Sequence, residues 1–217
     1  MLRAIAWGLS VVFHPLLVPF YMLIILLLVN PYLFGVSHWA DEGARLDIIQ
    51  IFLYTFFIPA TAFIVMYFLG MISGLDAPER EERIGPYLIT GMLYLWVYYD
   101  LAQTGRMPTA YASFMLGAVI ALFLAFLLNV FSKISAHTVG MGGLVGMILI
   151  TLLWFSYGSF SFGQGEVSML QFLIVAIVLA GAVGTARLLL RAHEPNEIYG
   201  GYLIGFSAQI FAFVYVF

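Results

Sequence analysis

The chain has 217 residues, of which 64% are hydrophobic and 9% are charged, and its formal net charge at pH 7 is −3. A soluble domain averages about 45–50% apolar and about 25% charged residues, so this composition excludes an ordinary soluble protein. No basic patch suits a nucleic acid, and the absence of cysteine excludes disulfides and thiolate metal sites.

Seven apolar runs approach or exceed the ~20 residues that a helix needs to cross a bilayer. They lie at about 5–33, 48–72, 86–103, 109–131, 138–157, 168–192 and 197–217. The first run lacks an A-x-A cleavage pattern, so we interpret it as a retained span and not a signal peptide. The third run is the shortest and contains Asp100. We predict an all-α fold, a polytopic membrane helical bundle of about six to seven transmembrane helices that forms a single domain over residues 1–217.

Basic residues concentrate on one predicted face of this bundle. If every run crosses the membrane, alternate connections share a face. The face of the N-terminus then collects Arg3, Arg80, Arg83, Lys133, Arg187 and Arg191, against Arg45 and Arg106 on the other. The positive-inside rule explains such a bias, and so does a phosphate site, because guanidinium forks match phosphate oxygens.

Charge is densest in "ARLLLRAHEPNEIYGGYLIG", residues 186–205. In this stretch, five residues separate Arg187 from His193 and three separate His193 from Glu197. Two glycines, Gly201 and Gly205, follow. This spacing resembles the third signature of the type 2 phosphatidic acid phosphatase family, in which arginine, histidine and aspartate are spaced in the same way. "ISAH" at 134–137 resembles the second signature, and "PEREERIGP" at 78–86 loosely resembles the first.

The resemblance implies an integral membrane lipid-phosphate phosphohydrolase that needs no metal or cofactor. It implies that His193 forms a phosphohistidine, that Glu197 orients its imidazole, and that His137 is the general acid. The implied phosphate ligands are Arg187, Ser135, Arg83, Arg80 and Lys133. The implied substrate is phosphatidic acid, phosphatidylglycerol phosphate or a polyprenyl phosphate, among the lipids of a bacterial inner membrane. The family places its site on the periplasmic side in Gram-negative bacteria.

Departures from the signatures leave other functions open. Ala186, Ala136 and Ile134 replace the family's serine, glycine and proline, and Glu197 replaces its aspartate. A catalytically impaired homologue would bind or transport lipid phosphates without turnover, and a transferase is also compatible with these residues. A further alternative is a metal site formed by His137, His193 and Glu197. If the candidate phosphate ligands are left out of the count, each face has two basic residues. The positive-inside rule then does not determine which face of the protein lies in the cytoplasm.

Three other features of the sequence also have structural interpretations. His14 precedes Pro15, which predicts a helix kink with the imidazole satisfied by a neighbouring helix; a proton relay is the alternative. Asp100 lies near the end of its run and is predicted to be interfacial. The pairs Gly142-x-x-x-Gly146 and Gly201-x-x-x-Gly205 permit close helix contact.

Overall fold

The computed structural model describes residues 1–74, 76–163 and 165–217, and helices account for most of them. The helices are α1 Leu2–Val12, α2 Val18–Val29, α3 Glu42–Phe52, α4 Ile58–Phe68, α5 Ile84–Thr104, α6 Thr109–Asn129, α7 Ala136–Ile150, α8 Met169–Leu189 and α9 Pro195–Val216. Short π-helical segments join α3 to α4 and extend α7, at Leu53–Phe57 and Thr151–Phe155. Within the described ranges, six helical segments are long and apolar enough to cross a membrane. The chain is therefore an integral membrane protein with an all-α bundle, which confirms the predicted fold class.

The third apolar run forms α5, which is less apolar and is not among those six segments. α5 and α6 have 21 residues each and are joined by a short turn, in which Gly105 ends α5 with a φ of 61°. At their other ends, the Asn129 side chain donates to the Arg80 carbonyl at 2.8 Å. Both helices extend about 30 Å, so α5 traverses the same depth of the bundle as α6.

The first span is broken near its middle, as the His14-Pro15 pair predicts. α1 ends at Val12, Pro15–Leu17 forms a 3-10 turn, and α2 begins at Val18. Proline lacks the backbone N–H that a continuous helix requires. α1 packs against α8, and the 3-10 turn packs against α7. The break therefore brings the middle of the first span to the ends of two later helices.

Glycines let α7 and α9 pack backbone against backbone. A Cβ added at Gly142 would overlap the backbone of Tyr202, and one added at Gly205 would overlap the Val139 carbonyl. The two Gly-x-x-x-Gly pairs that the sequence singles out thus face each other across this interface. Because His137 lies in the first turn of α7 and His193 immediately precedes the cap of α9, the contact fixes the relative positions of two predicted site residues.

The predicted site residues lie at one face of the bundle, where α5, α7 and α9 begin and α6 and α8 end. The opposite face contains an antiparallel hairpin, β1 Ser159–Phe162 and β2 Gly165–Ser168, with Ser159 opposite Ser168. Asp100 also lies there, in an ion pair with Arg106 at 2.6 Å, and both side chains contact solvent. This position agrees with the interfacial interpretation of Asp100.

Candidate active site

A cavity of about 800 Å³ opens between the helix ends and extends into the bundle. Its outer wall is polar and includes His14, Arg83, Lys133, His137, Arg187 and His193. Its deeper wall is mostly apolar and includes Phe63, Phe114, Ala118 and Leu122. Gln209 also lines the deep end and lies about 20 Å along α9 from the start of that helix. The cavity therefore combines a charged entrance with an apolar interior.

His193, in the connection between α8 and α9, has only 2% of its side chain exposed. Its Nδ1 lies 2.8 Å from Glu197 Oε2 and 3.1 Å from the Lys133 carbonyl oxygen. Both oxygens accept hydrogen bonds, so Nδ1 carries the proton and Nε2 carries the lone pair. No hydrogen bond to Nε2 is formed by any residue that the structure describes. This tautomer suits a nucleophile.

The start of α9 determines where Glu197 lies. Its carboxylate accepts the Glu194 backbone N–H at 3.1 Å, while the Glu194 side chain accepts the Glu197 N–H, which makes a capping box. Pro195 occupies the first helical turn, where its missing N–H costs nothing. The carboxylate that orients His193 is therefore also part of the helix cap.

Burial lowers the pKa of His193 from its ordinary value of 6.5 to about 4. The hydrogen bond to Glu197 opposes this shift, whereas the positive charges of Arg83 and Arg187 add to it. The imidazole is therefore neutral at pH 7, and its Nε2 lone pair is available.

His137 is the second residue of α7 and lines the same cavity. Its Nε2 lies 3.0 Å from the Ser10 carbonyl oxygen, which can only accept, so Nε2 carries a proton. Nδ1 is then the nitrogen left to exchange a proton with a ligand. The His14 ring packs edge-on against the His137 ring, with 5.5 Å between centroids. His137 is thus held in an orientation that suits a general acid or base.

Two buried arginines approach the cavity from different helices. Arg83 and Arg187 are each 8% exposed, and both line the cavity. Arg83 donates through Nε to the Ala77 carbonyl and through Nη1 to the Ile134 carbonyl, both at 3.0 Å. Arg187 Nη1 donates to Ser10 Oγ at 3.3 Å, and its buried Nε has no partner in the described part of the chain.

Neither guanidinium is in an ion pair with a carboxylate of the described residues. Burial lowers the pKa of Arg83, and the nearby Tyr87, Glu197 and Asp76 oppose that shift. Arginine nevertheless stays charged in proteins. An unpaired buried charge is costly, so the two guanidiniums create a strong preference for an anion in the cavity.

The turn after α8 connects Arg187 to His193. The Ala192 N–H donates to the Arg187 carbonyl at 3.1 Å and the Arg191 N–H to the Leu188 carbonyl at 2.9 Å, a Schellman motif. Arg191 occupies its left-handed position with a φ of 56°. This turn reverses the chain within a few residues, so that Arg187 and His193 line one cavity.

Two predicted phosphate ligands lie outside the cavity wall. The Arg80 side chain is 44% exposed and lies 3.5 Å from Glu81 in a surface ion pair. The turn before α5 directs Arg83 inward and Arg80 to solvent, so the structure does not support Arg80 as a ligand. Ser135 immediately precedes α7, and its buried hydroxyl has no partner among the described residues. Its backbone N–H lies 3.5 Å from the Glu197 carbonyl, which places Ser135 at the junction of α7 and α9.

The first span contributes two residues that the motifs do not include. Ser10 bonds Arg187 through its hydroxyl and His137 through its carbonyl, and His14 lines the cavity. The sequence predicts a kink at His14 with the imidazole satisfied by a neighbouring helix, or a proton relay, and no role for Ser10. The kink is present, but His14 Nδ1 instead accepts the Leu16 backbone N–H of its own turn. Their signal is the spacing: both are polar residues in an apolar run, and they lie four positions apart, which is about one helical turn.

Residues 1–74, 76–163 and 165–217 contain no cluster of three His, Asp or Glu side chains arranged to hold a metal ion. The donors instead form a nucleophile with its orienting acid, a second imidazole that can exchange a proton, and two guanidiniums. These groups can together attack a phosphoryl group, exchange a proton with its leaving oxygen and neutralise its charge. Comparisons of the chain with protein-family models, with curated proteins and with solved structures give no match.

Proposed function

We propose that the chain is a lipid-phosphate phosphohydrolase of the phosphatidic acid phosphatase type, in a bacterial inner membrane. One observation carries this proposal: Arg83 and Arg187 are buried at the cavity, without a carboxylate partner among the described residues, and the unprotonated Nε2 of His193 lies at the same cavity. The guanidiniums attract a phosphate group, and the imidazole supplies a nucleophile.

The reaction would proceed in two displacements. His137 takes up a proton at Nδ1 when the anionic substrate binds beside it. His193 Nε2 then attacks phosphorus, the bond from phosphorus to the lipid oxygen breaks, and His137 gives that Nδ1 proton to the departing alkoxide. Water then attacks the phosphohistidine, His137 Nδ1 takes a proton from that water, and the P–N bond breaks to release phosphate. Arg83 and Arg187 neutralise the charge on the phosphoryl oxygens in both steps, and Lys133 lies at the same entrance.

The shape of the cavity favours an amphiphilic substrate. A phosphate held at the charged entrance leaves the apolar interior, lined by Phe114, Ala118 and Leu122, for a hydrocarbon tail. Burying each methylene of that tail contributes about 0.8 kcal/mol. Phosphatidic acid, phosphatidylglycerol phosphate and polyprenyl phosphates share this chemistry.

The test is phosphate release by the purified protein in detergent micelles. Wild-type protein should hydrolyse phosphatidic acid far faster than a tail-less ester such as glycerol 3-phosphate, and His193→Ala should abolish both activities. Release that survives in His193→Ala rules out this mechanism.

A second candidate function is lipid-phosphate binding or transport without turnover. The outward position of Arg80 favours it, because the cavity then has fewer cationic ligands than the motif resemblance implies. Tight binding of phosphatidic acid by wild-type protein, with no phosphate released, would support this candidate.

A further inference from the structure

We infer that His14 is a third imidazole of the site, which donates a hydrogen bond from Nε2–H to an oxygen of the bound phosphate group. The inference rests on the proposed function and adds a substrate-binding residue from the first span.

The local backbone determines which nitrogen of His14 carries the proton. Nδ1 accepts the Leu16 backbone N–H at 3.3 Å, as the cap of the 3-10 turn that follows. A nitrogen that accepts a hydrogen bond has no proton of its own, so the neutral ring is protonated at Nε2. No described residue bonds Nε2, and the ring lines the cavity. His14 thus presents a fixed N–H donor.

The neighbours of His14 place this donor beside the anion site. Its ring packs edge-on against His137. Ser10, one helical turn earlier, contacts both His137 and Arg187. The first span therefore supplies a hydroxyl that holds the guanidinium, a carbonyl that holds His137, and an imidazole whose Nε2–H bonds no described residue.

The three imidazoles have different partners and hence different capacities. His193 has a lone pair at Nε2, because its Nδ1–H is held by Glu197 and the Lys133 carbonyl. His137 can exchange a proton at Nδ1, because its Nε2–H is held by Ser10. His14 has a donor at Nε2, because its Nδ1 is held by Leu16. A donor that is not needed for proton transfer suits phosphate binding.

Two substitutions separate this role from that of a structural cap. In His14→Asn, the side-chain oxygen can replace Nδ1 as the cap, since asparagine is a favoured capping residue, but nothing replaces Nε2–H. In His14→Gln, the amide NH₂ can occupy the position of Nε2–H, but the cap is lost. If His14 donates a hydrogen bond to phosphate, His14→Asn should impair function and His14→Gln should preserve it. If His14 is only a cap, His14→Gln should lower stability and His14→Asn should have no effect.

His38 provides a matched control. Its Nδ1 accepts the Ala40 backbone N–H at 3.2 Å, the same local arrangement, but it is exposed and does not line the cavity. His38→Asn should change neither phosphate binding nor hydrolysis.

The experiment measures binding of inorganic phosphate by calorimetry, hydrolysis of phosphatidic acid, and thermal unfolding, for wild-type protein and the three variants. His14→Asn should weaken phosphate binding and lower kcat/KM roughly 10- to 100-fold, as for a lost hydrogen bond to a charged group, with an unchanged Tm. Unchanged phosphate affinity and kcat/KM in His14→Asn would overturn the inference. If the proposed function is wrong, wild-type protein will release no phosphate. The binding measurement would still decide the role of His14.

Discussion

A single carboxylate links the imidazole of His193 to the start of a helix. Glu197 Oε2 lies 2.8 Å from His193 Nδ1 and also accepts the Glu194 backbone N–H at 3.1 Å. The contact that orients the nucleophile is therefore built into the cap of α9.

Glu197→Gln should separate these two roles. Glutamine can still accept the Glu194 N–H, as capping boxes allow, but it has no charge to stabilise a positive imidazole. We expect kcat to fall roughly 10- to 100-fold while the Tm stays unchanged. Glu197→Ala removes the cap as well, so its free energy of unfolding should fall by about 1 kcal/mol. Equal kcat values for Glu197→Gln and wild type would show that the carboxylate acts only as a cap.

The low pKa of His193 predicts how stability depends on pH. The unfolded chain has the ordinary pKa of 6.5 and the folded chain a pKa of about 4, so the folded state binds this proton more weakly. This group's contribution to stability is complete above pH 6.5 and falls as the pH drops from about 6.5 to about 4.

The measurement is an NMR titration of the ¹³C-labelled imidazoles, with His193→Asn to assign the signal. We expect a midpoint near pH 4 for His193, and a lower one in Glu197→Gln, because the carboxylate raises this pKa. A midpoint near 6.5 would contradict the buried environment described here.

Arg187 should not be replaceable by lysine. Lysine keeps the positive charge but lacks the planar fork that binds two phosphoryl oxygens, and removing one such donor costs roughly 10²- to 10³-fold in kcat. We therefore expect Arg187→Lys to lose activity on this scale in a phosphate-release assay. Arg106→Lys, at the opposite face and paired with Asp100, is the matched control and should be as active as wild type. Loss of activity in both variants would indicate a general effect of replacing arginine.

The contact between α7 and α9 should be sensitive to a single methyl group. A Cβ at Gly205 would overlap the Val139 carbonyl, whereas one at Gly181 in α8 meets nothing within 4 Å. Gly205→Ala should lower the free energy of unfolding by about 1–3 kcal/mol and reduce activity, since it pushes α9 and Glu197 away from His137.

Gly181→Ala is the control, since an unobstructed alanine in a helix is more stable than glycine by roughly 0.5–1 kcal/mol. Thermal unfolding in detergent compares the two variants. Equal stability of both would mean that α7 and α9 are not in backbone contact.

The sequence predicts most of the fold, because apolar runs of sufficient length in a nearly uncharged chain have few alternatives to membrane helices. The weakest run, at 86–103, forms a helix of full length, but it is less apolar than the six segments that qualify as spans. The spacing of Arg187, His193 and Glu197 predicts a local cluster, and the structure contains it. Local spacing is informative here because all three residues lie within one helix–turn–helix.

Sequence does not reveal contacts between distant helices. Ser10 bonds Arg187 across 177 residues of sequence, and no local pattern around Ser10 specifies that partner. The choice between Arg80 and Arg83 is similarly undetermined, because both precede α5 and only the direction of the preceding turn decides which one faces the cavity.

The most direct test of the central claim is to trap the phosphoryl group on the protein. Wild-type protein mixed briefly with phosphatidic acid, quenched at alkaline pH and mapped by mass spectrometry should carry a phosphoryl group on the peptide that contains His193. The same treatment of His193→Ala should yield no phosphorylated peptide. Phosphate release without any phosphorylated His193 peptide would contradict a nucleophilic role for this imidazole.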